Sequence, residues 1–295
     1  MRIAVICIMG VVQAMAQASP RQGSETPLRI MCVGDSITAG YTDNPKWTVP
    51  FEFGYRRGLY QRLIQAGYRF QFVGESPEPR DGLSGLHGNT PTLDLRAQDQ
   101  DHHRGYGGWG TQKVLGGIGA WVAKDSPDLV LLMIGINDGG SVNARTNLEE
   151  IARTIFRVKP AVSLIIAQIT PMAHFSQRIA DYNQYIRDTL VPRLVAEGRK
   201  VTTVDQYRNL LKDGKIDATL FSNHINHPDA KAYDQMAQTW FEGITGLYPL
   251  EGTCIRNGSS VSLNIAPNQV QAVTADGLRK SETDLSKEMI QKSNE

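Results

Sequence analysis

Short apolar runs alternate along the chain with longer stretches whose apolar positions recur at helical spacing. The runs are Leu28–Val33, Tyr68–Val73, Leu129–Ile134, Ser163–Ile169 and Val201–Val204. They are rich in Val, Ile and Leu, the composition of strands covered on both faces. Helical periodicity marks Tyr55–Ala66, Thr111–Ala123, Leu148–Val158, Ile179–Val195 and Ala230–Ile244. Strand–helix alternation of this kind predicts the α/β class: a three-layer α/β/α sandwich around a central, mostly parallel five-stranded sheet. Ligands on such sheets bind at the carboxyl ends of the strands. Ser36 and Asn137 both follow strand ends, so both are expected at that rim.

The pattern breaks in three places. Gly74–Arg104 is polar and rich in Gly, Pro and Asp, which predicts a long loop wrapped over the rim. At the start, Met1-Arg2 precedes the apolar stretch Ile3–Val12, and Ala-x-Ala sites end at Ala16 and Ala18. This reads as a secretory signal peptide over residues 1–18, too short in its apolar part to span a bilayer, with a buried first strand as the alternative. Residues 19–27 then form a flexible approach. Beyond the main domain at 28–248, the polar extension 249–295 loses periodicity apart from a short helix near Asp284–Gln291; a disordered tail, a linker remnant and an appended strand pair all fit it. The chain shows no internal repeat.

Composition narrows the classes. A chain of 295 residues suits one ordinary-to-large domain. With 31 basic against 30 acidic residues, no global field argues for nucleic acid or an anionic membrane. The expectation is a secreted monomer, extracellular or periplasmic, with no nucleic-acid partner and no stable membrane insertion. Cys7 would leave with the leader; Cys32 and Cys254 either form one bridge in an oxidising compartment or remain two thiols. No cysteine pair has ligand spacing, so no metal is expected. Asn257-Gly258-Ser259 is a glycosylation sequon, meaningful only in a eukaryotic host.

The candidate chemistry lies in four short blocks. Gly34-Asp35-Ser36-Ile37-Thr38 puts a serine at the mouth of a buried strand, where it suits a nucleophile; a helix-capping serine is the plain alternative. The nucleophile-elbow pattern Gly-x-Ser-x-Gly is absent, which argues against an ordinary α/β-hydrolase. Gly105-Tyr106-Gly107-Gly108-Trp109-Gly110 formally matches a dinucleotide fingerprint, but such a motif must follow a strand. Here it follows Asp99-Gln100-Asp101-His102-His103-Arg104, so a tight turn presenting the Gly108 amide is preferred, with a flexible loop as the alternative. In Gly135-Ile136-Asn137-Asp138, the Asn137 amide can donate to an oxyanion while Asp138 braces the turn, unless the pair is turn chemistry alone. His227, before a helix opening near Pro228, is the candidate base. A nucleophile, a base and aimed donors are what acyl transfer requires, and Asp35 is expected to hold the turn at Ser36.

With these blocks in this order, the chain resembles the SGNH (GDSL-type) hydrolases over about Leu28–Ile244. The resemblance implies a flavodoxin-like SGNH sandwich and gives catalytic roles to Ser36, Gly108, Asn137 and His227. Within the family it is most similar to carbohydrate esterase family 3 and related secreted deacetylases. Gly54-Tyr55-Arg56, Gly67-Tyr68-Arg69-Phe70-Gln71-Phe72-Val73-Gly74 and His103-Arg104-Gly105-Tyr106-Gly107-Gly108-Trp109 carry that likeness. It implies removal of acetyl groups from an acylated carbohydrate such as xylan, without metal or organic cofactor. Tyr41, Trp47, Tyr106 and Trp109 are then candidates for stacking on sugar, or for packing.

Two positions depart from the family. Gly107 stands where relatives often carry serine. More serious, His224 stands three residues before His227, where the family has an aspartate that orients the imidazole. Losing such a carboxylate can cost up to about 10⁴-fold in rate. Three repairs are open: a Ser36–His227 dyad braced by a backbone carbonyl, which is preferred; Asp217 reaching in from the preceding loop; or His224 as the orienting group. His224 as the base itself is a further alternative. A lipid or thioester hydrolase of the same superfamily, and a catalytically silent carbohydrate-binding relative, remain as other functions.

Overall fold

The computed structural model describes residues 26–42, 53–76, 95–250, 253–256 and 259–262. The leader, most of the approach, Trp47, Asn257 of the sequon and the helix expected near Asp284–Gln291 lie outside the described residues. So does most of the long loop, residues 77–94. Contacts divide the chain into units 1–249 and 250–295.

Strand β1, Leu28–Gly34, leads into the single-turn helix α1, Ser36–Ala39, and then helix α2, Tyr55–Gln65. Strand β2 is Phe70–Phe72 and β3 is Arg104–Gly105, followed by α3, Thr111–Asp125, and β4, Leu129–Met133. Then come α4, Val142–Val158, β5, Ser163–Gln168, α5, Gln177–Tyr185, α6, Val191–Ala196, and β6, Val201–Asp205. The pair β7, Leu211–Lys212, and β8, Lys215–Ile216, precedes α7, Ala230–Leu247. In the second unit β9, Thr253–Arg256, and β10, Ser259–Ser262, form an antiparallel hairpin.

The main sheet runs β2-β1-β4-β5-β6, and every pairing in it is parallel. Its five strands are those the apolar runs predict. A sixth, β3, pairs with Val33–Gly34 on the edge of β1 that β2 has left free. Residues 104–105 were expected in loop; they form a strand because the Arg104 guanidinium is neutralised in place. Its Nε and Nη2 donate to Asp125 Oδ2 and Oδ1 at 2.7 and 2.9 Å, both side chains nearly buried.

All five residues of β4 and all six of β5 are buried, as a sheet covered on both faces demands. Helix α2 packs on α7, and α3 on α4. With the right-handed crossovers that parallel sheets adopt, this strand order places the first pair on one face of the sheet and the second on the other. The expected helix Ile179–Val195 is interrupted: a π-turn at Ile186–Leu190 joins α5 to α6. Pro192, in the first turn of α6, has no N–H to donate one turn back, and the widened turn absorbs the lost bond. Cys32 is a free thiol, fully buried, and burial pushes its pKa up to about 12, so it is an inert core residue rather than half of a bridge. Among the described residues, no helix is long and apolar enough to cross a membrane.

Candidate active site

Ser36 occupies the turn where β1 hands the chain to α1. The turn is tight because Gly34 has no side chain: a Cβ there would meet Met133 O at 2.3 Å and Thr38 Oγ1 at 2.4 Å. Asp35 is the N-cap of α1, its Oδ1 accepting from Ile37 N at 2.9 Å. At the other end, the fully buried Arg56 takes the last carbonyls of the helix. Its Nε donates to Thr38 O at 3.0 Å, its Nη2 to Ala39 O at 3.1 Å and its Nη1 to Asp101 O at 2.7 Å. One turn of helix is not stable alone, so the placement of Ser36 is inherited from these two clamps. Sequence reasoning used Arg56 only as part of a likeness; no local pattern signals its role.

Ser36 Oγ lies 2.8 Å from His227 Nε2, across 191 residues of chain. That is hydrogen-bond range for a nucleophile and its base. Tyr41 presents its ring to the imidazole in a T-shaped contact, with centroids 5.9 Å apart at 73°. The Tyr41 carbonyl in turn accepts from Tyr233 OH of α7 at 2.6 Å.

Asn137 sits exposed just past β4 and donates through Nδ2 to Trp109 O at 2.8 Å. This bond orients the amide and ties its turn to the glycine block. That block turns at residues 106–109, closed by Trp109 N donating to Tyr106 O at 3.2 Å, with the exposed Gly108 at φ +71°. Only glycine adopts such a backbone without strain. Asp138 does more than brace its own turn. Its Oδ2 accepts from Thr111 N at 2.8 Å and its Oδ1 from Thr111 Oγ1 at 3.1 Å, so it caps helix α3 from a different loop. The N-cap residue itself is Gly110, and a Cβ there would meet Asp138 Oδ1 at 2.7 Å.

The other candidates lie elsewhere. His224 is exposed, with its backbone at φ +57°, and among the described residues its ring makes no hydrogen bond. Asp217 is half-buried and caps its own 3₁₀ turn, accepting from Thr219 N at 3.0 Å and Thr219 Oγ1 at 2.6 Å; these bonds hold its carboxyl below the usual range. Neither is brought to the His227 ring. Tyr106 and Trp109 stack on each other at 4.3 Å and 20°, and Tyr106 also stacks on Trp121 at 5.4 Å. Their mutual packing therefore competes with any role against a ligand. Among the described residues, no group of three His, Cys, Asp or Glu is placed to hold a metal ion.

Burial of Asp35 carries an electrostatic cost. Burial pushes its pKa from 3.8 up to about 7; the Ile37 N–H opposes this and the nearby Asp138 carboxylate adds to it. A carboxyl whose folded pKa is raised binds its proton more tightly when folded. Its stabilising contribution is therefore complete below about pH 4 and lost as pH rises through 7. Asp35→Asn keeps the cap acceptor without the charge. The variant's stability advantage over the wild type in urea unfolding is expected to widen by about 2–3 kcal/mol from pH 5 to pH 8. Equal stability gaps at the two pH values would show that the pKa of Asp35 is not raised in the folded protein.

Residues 32–235 match the model of the GDSL-like lipase/acylhydrolase family. A multidomain esterase of Ruminococcus flavefaciens is 28% identical over 264 residues, 79% of this chain but 30% of the relative, so the chain spans less than a third of that protein. Among solved structures, a family 3 carbohydrate esterase of Clostridium thermocellum is 30% identical, with a TM-score of 0.57 over 75% of this chain and 98% of that one. A carbohydrate esterase family 3 protein from Talaromyces cellulolyticus shares the fold at 19% identity, with a TM-score of 0.55 and the same coverage of both chains.

Proposed function

This chain belongs to the GDSL-like lipase/acylhydrolase family and carries a carboxylic ester hydrolase domain, and from that premise we propose that it is exported and removes short acyl groups, acetyl foremost, from a carbohydrate through an acyl-enzyme on Ser36. The observation that carries the reading is the 2.8 Å contact between Ser36 Oγ and His227 Nε2 at the carboxyl rim of the sheet. His227 takes the Oγ proton as Oγ attacks the ester carbonyl carbon. The negative charge then forms on the carbonyl oxygen, where the Ser36 and Gly108 amides and the free N–H of the Asn137 amide donate to it. Collapse breaks the bond to the sugar oxygen, which leaves with the proton from His227. Water attacks the acyl-enzyme with His227 again as base, and acetate departs as Ser36 recovers its proton.

The carbohydrate half of the proposal is supported by likeness to the family 3 carbohydrate esterases, of which the chain covers nearly the full length of one. Export is supported by the leader pattern at residues 1–18. The test is acetate release from acetylated xylan, beside p-nitrophenyl esters of two to twelve carbons. Release from the polymer, with rates falling as the acyl chain lengthens, is expected. Preference for the long esters with no release from any acetylated sugar would replace this reading with a lipid or thioester hydrolase.

A further inference from the structure

We propose that Asn223 is a positioning residue for His227, fixing the backbone of the loop that carries the imidazole; the inference rests on the serine–histidine reading above. The loop from Phe221 to Pro228 is closed by a bridge between those two residues, and Ser222 N donates to His227 O at 2.8 Å. Inside it, Asn223 Oδ1 accepts from three backbone amides, Ile225 N at 3.0 Å, Asn226 N at 2.9 Å and His227 N at 2.9 Å. Three convergent donors leave no doubt which end of the side chain is oxygen, and its Nδ2 donates to Asn226 Oδ1 at 3.1 Å. The carbonyl of Ile225 accepts from Ala173 N at 2.7 Å, which anchors the loop to the segment after β5.

Both backbone polar groups of His227 are thus held, the N–H by Asn223 and the C=O by Ser222. The wrap around Asn223 also accounts for position 224. The chain passes through the left-handed region at His224, φ +57°, and that turn directs the residue to solvent instead of toward the imidazole.

A displacement of about 1 Å between reacting groups can cost on the order of 10²-fold. Asn223→Ala, which frees the amides of residues 225, 226 and 227, is expected to lower kcat on p-nitrophenyl acetate about 10- to 100-fold with KM within about twofold. The rate at which a fluorophosphonate labels Ser36 is expected to fall by the same factor. Asn223→Asp offers the same three amides a carboxylate oxygen, with the Asn226 amide turning to donate, and should recover both rates to within about threefold of wild type. If the alanine variant fails to fold, Asn223→Ser, with a shorter acceptor, carries the comparison and should fall between. Wild-type kcat and labelling in a folded Asn223→Ala, or no recovery in a folded Asn223→Asp, would overturn the proposal. Labelling needs no acetylated sugar: a wild type that labels but releases no acetate fails the substrate reading alone. One that neither labels nor hydrolyses fails the serine–histidine site, and this inference with it.

Discussion

Ser36→Ala and His227→Ala are each expected to lower kcat for acetyl-ester hydrolysis by about 10³–10⁵, and the double variant to fall no further. The two groups share one proton path through the 2.8 Å contact, so removing either disables the other. The expected loss is set below the million-fold of complete triads because the carboxylate that orients the imidazole has no counterpart at position 224. Activity above the water reaction persists through the oxyanion donors and substrate binding. Steady-state kinetics of the two singles and the double decide the matter. A double variant whose loss is the product of the singles would mean the residues act independently, and the acyl-enzyme route through Ser36 would have to be given up.

Asn137→Ala comes next in size, with kcat expected to fall about 10²–10³ and KM little changed. One N–H of the amide is already committed to Trp109 O, which holds the other in a fixed direction. A donor fixed in advance stabilises developing charge without reorganising when the reaction occurs. Asn137→Asp should be worse than alanine, since a carboxylate removes the donor and opposes the oxyanion. The opposite pattern, KM raised at constant kcat, would assign Asn137 to holding the substrate and leave the oxyanion to the amides alone.

Strands β1, β4 and β5 were readable because most or all of each is buried and so becomes a nearly continuous apolar run, whereas β2 is short and β6 is mostly half-buried. Strand β3 was not, since two residues carry no periodicity and one is an arginine whose burial depends on Asp125, 21 positions away. Helix α4 begins at Val142 rather than at the expected Leu148. Its start signal is Ser141, whose Oγ accepts from Ala144 N at 3.2 Å, but Val142 is exposed and blurs the apolar stripe. In the site, the blocks around Ser36, Gly108, Asn137 and His227 could be found because each is contiguous and carries its own turn chemistry. The groups that hold them were invisible for the converse reason. Arg56 bonds carbonyls 17 and 18 residues back, and Asp138 caps a helix 27 residues away. Asn223 lies only four residues from His227, but its three acceptances depend on a loop shape that composition does not encode.

The nucleophile rides on a single turn of helix gripped at both ends, by Asp35 above and Arg56 below. It behaves like a tool in a vice whose jaws are a buried carboxyl and a buried guanidinium. Loops around the rim, apart from the segment at Asp101 whose carbonyl Arg56 also holds, can then be exchanged while the serine keeps its aim. For protein engineering this makes the domain a chassis: specificity can be redrawn on the surrounding segments, and the two jaws are the positions to leave alone.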